Sequence, residues 1–153
     1  MEPNLTLRAV LNHLIQTCKD GQEGYLTAAQ NISDPQLRRR LSEYSLQRAK
    51  FSGELQTASH ELGDSNPEYA SSAAGAFHRG WINLKGVVAD RDSHAILVEC
   101  ARGESCAVTA YEEALLLALP APIREIVARQ HVAVQTAHDR IKGFTGTPEV
   151  KPV

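Results

Sequence analysis

Four long stretches of this sequence carry apolar residues at the 3.6-residue period of an α-helix, and none shows the alternation of a strand. Each such stripe has to be buried against another helix, so the pattern restricts the chain to an all-α fold. In residues 5–32 the stripe is Leu7, Val10, Leu11, Leu14, Ile15, Cys18, Tyr25, Ala29 and Ile32, with Gln22 in the same face. Gly21 and Gly24 weaken this helix and point to close helix contact or a kink. Ser33 or Asp34 caps the next helix, and Pro35 suits its first turn. That second helix reaches Leu62 before Gly63, along Leu37, Leu41, Tyr44, Phe51, Leu55, Ala58 and Leu62. A third long helix is predicted over 94–119, along Leu97, Cys100, Glu104, Ala107, Tyr111 and Ala114. A fourth covers 122–144, along Ile123, Ile126, Val127, Gln130, Val134, Ala137 and Ile141.

About 30 residues separate the second and third long helices. They hold a polar loop at 63–70 and a shorter helix over 73–89, built around Phe77, Trp81, Leu84 and Val88. Gly75, Gly80 and Gly86 make that helix depend on packing, with Trp81 as its anchor. A connection of this length can return along the whole bundle, which is the arrangement of ferritin-like four-helix bundles. Residues 1–144 are expected to form one such domain, followed by a loose, proline-rich tail at 145–153. An internal repeat fits this picture. At an offset of 82, residues 18–28 lie over 100–110, so that Cys, Gly, Thr and Ala coincide and Gln22 falls on Glu104.

The net charge of −2 gives no electrostatic case for nucleic acid or an acidic membrane. The run Arg38–Arg40 is too short to change that and reads as a solvated helix face. No apolar run approaches the roughly 20 residues of a membrane span. The first residues lack the basic-then-apolar pattern of a signal peptide. Three cysteines without a C-x-x-C spacing predict free, buried thiols in a reducing cytoplasm rather than disulfides or a zinc site. Phosphate-loop, nucleophile-elbow and H-E-x-x-H motifs are absent from the sequence.

Two charged residues sit where apolar ones are expected. Glu104 lies in the third stripe and Arg48 interrupts the second. A carboxylate in such a place has to be paired, protonated or bound to a metal, and a guanidinium there needs an acidic partner or a route to solvent.

The segments Thr17–Tyr25, Gln47–Leu55, Gly75–Trp81, Arg102–Glu104, Ala110–Glu113 and Ala137–Arg140 together span most of the chain. On these segments it resembles an uncharacterised family of bacterial ferritin-like four-helix-bundle proteins that carry a domain of unknown function. The resemblance implies that fold and a cytoplasmic, stress-associated protein, without an established chemistry. Ferritin-like di-iron sites take a Glu from each of two helices and Glu-x-x-His from each of the others. Here Gln135 stands where the Glu before His138 is wanted, Thr57 where the His after Glu54 is wanted, and Gln22 replaces an inward Glu beside Glu23.

Counting from the turns places Glu104 level with Gln135 and His138, and Gln22 level with Tyr44 and about one turn from Arg48. The favoured reading is a core polar cluster in which Arg48 supplies the metal's positive charge. It pairs with Glu104, while Gln22, Tyr44, Tyr111 and His138 complete the hydrogen bonds. The alternative is an iron or manganese site on Glu104, His138, Gln135 and Glu23 or Glu54. The first reading makes the protein a non-catalytic bundle that needs no cofactor and acts by interaction, as a homodimer. The second makes it a metal-dependent oxidoreductase or iron store. A third candidate is a small-molecule pocket near Trp81 and His78.

Overall fold

The computed structural model describes residues 3–63, 80, 81 and 83–146. Helix α1 covers Pro3–Asn31, α2 Pro35–Glu61, α3 Leu84–Ala89, α4 Ser93–Leu115 and α5 Ala121–Phe144. Asp34 caps α2, accepting from the backbone N–H of Gln36 at 2.8 Å and Leu37 at 3.2 Å. Arg38 is exposed, as expected of a solvated face, and its guanidinium also donates to the Ile32 carbonyl at 3.0 and 3.2 Å and so closes the end of α1. Helix α4 stops at Leu115, four residues short of the expected end. The carbonyls of Leu115 and Leu117 are taken up by the Arg124 guanidinium instead.

The short helix departs most from expectation. Among the described residues of the stretch 73–89, helix covers Leu84–Ala89, and Trp81 precedes it in irregular backbone. Gly80 takes φ +99°, which glycine alone adopts without strain and which breaks any helix running through it. Phe77 and His78, with the rest of 64–79 and the tail 147–153, lie outside the described residues.

Helices α1 and α2 form one antiparallel hairpin, α4 and α5 another, and the hairpins pack through α1 on α4 and, less closely, α2 on α5. Cys18 meets Tyr111 and Tyr25 meets Glu104, so moving two turns forward along α1 moves two turns back along α4. Because α1 and α4 are antiparallel, α2 ends at one end of the bundle and α4 begins at the other. The connection therefore returns the length of the molecule.

The apolar core is split in two. One cluster gathers Leu11, Leu14, Phe51, Leu55, Ala107, Tyr111, Ile123 and Val127, and the other Tyr25, Ile32, Leu41, Trp81, Leu84, Ile96, Leu97 and Ile141. Arg48 and Glu104, both essentially inaccessible, belong to neither. Leu62, expected in the buried stripe, is 40% exposed because it caps α2 rather than lying inside it. Cys18 and Cys100 are buried free thiols, whereas Cys106 is exposed, contrary to expectation, since it faces outward from α4.

Candidate functional site

Arg48 on α2 and Glu104 on α4 stand across the diagonal of the bundle, and their side chains meet at its centre. Arg48 Nη1 donates to Glu104 Oε1 at 2.8 Å and Nη2 to Oε2 at 2.5 Å, a bidentate pair in which both carboxylate oxygens are engaged. Tyr25 Oη donates to the same Oε1 at 2.5 Å. The guanidinium carbon lies 5.5 Å from the centre of the Tyr25 ring, and Arg48 Nε donates to Gln47 Oε1 at 3.1 Å. Gly21 makes room for the arginine stem: a Cβ there would come within 3.3 Å of Arg48 Cγ.

Burial alone would lower the pKa of the Arg48 guanidinium. The Glu104 charge and its hydrogen bonds more than offset this and leave it above its ordinary value. The Tyr25 hydroxyl is pushed well above its usual range by burial and then by the Glu104 carboxylate. The centre is thus a closed pair of opposite charges with a neutral phenol donating to it.

A second polar chain runs from the core towards the surface. Tyr111 Oη donates to Gln130 Oε1 at 2.6 Å, and Gln130 Nε2 donates to Glu54 Oε1 at 2.8 Å. Glu54 also pairs with Arg129 at 3.3 Å. With the single phenolic proton so used, the Cys18 thiol donates to Tyr111 Oη at 3.1 Å. Burial pushes that thiol up to about 11. Burial also raises the Cys100 thiol and the Tyr111 hydroxyl.

The residues singled out from the sequence fall on both sides of this geometry. Tyr111 does not reach Glu104, from which it is separated by two helical turns, roughly 10 Å of rise, and bonds Cys18 and Gln130 instead. Tyr25, three residues after Gln22, occupies the place given to Gln22. The Gln22 side chain is half-buried, and its backbone carbonyl accepts from Ser45 Oγ at 2.8 Å. Tyr44 contributes its ring, 5.3 Å from that of Tyr25, while its buried hydroxyl meets no partner among the described residues.

Gln135 and His138 are level with the site but out of phase. The inward face of α5 is Ile123, Val127, Gln130, Val134, Ala137 and Ile141. Gln135 donates to Asp139 at 3.1 Å, and His138 Nδ1 lies 3.5 Å from the same carboxylate. Glu23 is exposed. Tyr25 and Gln130 escaped notice as site residues because each sits in an apolar stripe, where a tyrosine or a single glutamine reads as core.

The repeat carries into the buried faces. At the offset of 82, the six inward positions of α5 coincide with Leu41, Ser45, Arg48, Ser52, Leu55 and Ser59 of α2, all buried. Arg48 therefore matches Gln130, as Glu104 matches Gln22.

These residues do not fit a metal centre. Glu104 spends both oxygens on a guanidinium, which would repel a second cation, and the other candidate ligands point elsewhere. Among the described residues no group of three or more His, Cys, Asp or Glu side chains is arranged to hold a metal ion.

A family model described as a domain of unknown function (DUF2383) matches residues 7–116. The chain belongs to this family. No curated protein matches it. The matched part of the DUF2383 protein runs from α1 to the end of α4, so it includes Tyr25, Arg48, Glu104 and Tyr111. Gln130 and the rest of α5 lie beyond it. No helix among the described residues of this DUF2383 protein is long and apolar enough to cross a membrane.

Proposed function

We propose that this DUF2383 protein is a non-catalytic helical bundle of ferritin-like architecture, in which the Arg48 guanidinium takes the place of a metal's charge. The observation that carries this reading is the bidentate Arg48–Glu104 pair with Tyr25 on the same carboxylate. A buried carboxylate of a metal site is held by cations that leave coordination positions open for substrate. This one is neutralised by a fixed side chain and sealed by a phenol. The returning connection and the repeat of buried positions support the architecture. Two buried free thiols fit a reducing cytoplasm, and the protein acts through its surface, as a homodimer.

Oxidation of ferrous iron by peroxide tests the reading. With the purified protein present, the rate is expected to equal that of free iron. A faster rate that Glu104→Ala abolishes would contradict the proposal and favour a ferritin-like oxidoreductase.

A further inference from the structure

We draw no further inference here: the strongest candidate, the apolar groove of about 380 Å³ between α1 and the end of α4 that is lined by Val10, His13, Leu14, Ala110, Glu113 and Leu117, carries nothing because nothing in the structure shows what covers it.

Discussion

At the scale of single residues, the Arg48–Glu104 pair is a liability that becomes stable only when complete. Removing one partner leaves a charge without compensation in a low-dielectric core. Arg48→Met is expected to cost about 3–5 kcal/mol of unfolding free energy. Combining it with Glu104→Leu should recover most of that loss, since an apolar pair of similar volume needs no compensation. Urea unfolding of the two singles and the double measures both terms. Tyr25→Phe removes one hydrogen bond to a charged group and should cost about 1.5–3 kcal/mol by the same measurement. The two charges were legible in the sequence because a charge inside an apolar stripe has no bland explanation. Tyr25 was not, since its hydroxyl acts only where another helix brings a carboxylate to it. Gln130 likewise read as one polar residue in a core stripe until α4 set Tyr111 beside it.

At the scale of elements, glycines decide how closely the helices and the Trp81 indole approach. Gly24→Ala and Gly103→Ala both drive a methyl into a rigid indole and should each destabilise by about 1–3 kcal/mol. At Gly53 a Cβ would meet nothing within 4 Å, so Gly53→Ala on α2 should gain about 1 kcal/mol from helix propensity alone. Melting temperatures of the three variants give the contrast directly. The long helices could be read from their period, and Asp34 and Pro35 marked the start of α2. What period and level could not supply was rotational phase on α5. Gln135 and His138 stand at the right height, yet Val134 and Ala137 face the core there. The helix expected over 73–89 is interrupted at Gly80 and Trp81 for a related reason: Gly80 reads as a weak helical position and is a left-handed turn.

At the scale of the whole molecule, a polar layer divides two apolar clusters and ties one hairpin to the other. The buried thiols and phenols of the clusters on either side of this layer give the fold a defined alkaline limit. Unfolded, Cys18 titrates near its ordinary 9.0; folded, it holds its proton up to about 11. Between those values the unfolded chain has lost a proton that the folded chain keeps. The contribution of Cys18 is therefore complete below pH 9 and disappears as pH rises to about 11, by up to about 1.4 kcal/mol per pH unit. Cys100, Tyr25 and Tyr111 shift the same way and steepen the loss. Urea midpoints should be level near neutral pH and fall from pH 9 upward.

The claim on which the account turns is that a guanidinium occupies the place of a metal, and elemental analysis of the purified protein tests it most directly, with Glu104→Ala as the control. The account predicts iron and manganese far below one equivalent per chain in both proteins. Stoichiometric iron or manganese in the wild type, lost in Glu104→Ala, would contradict it.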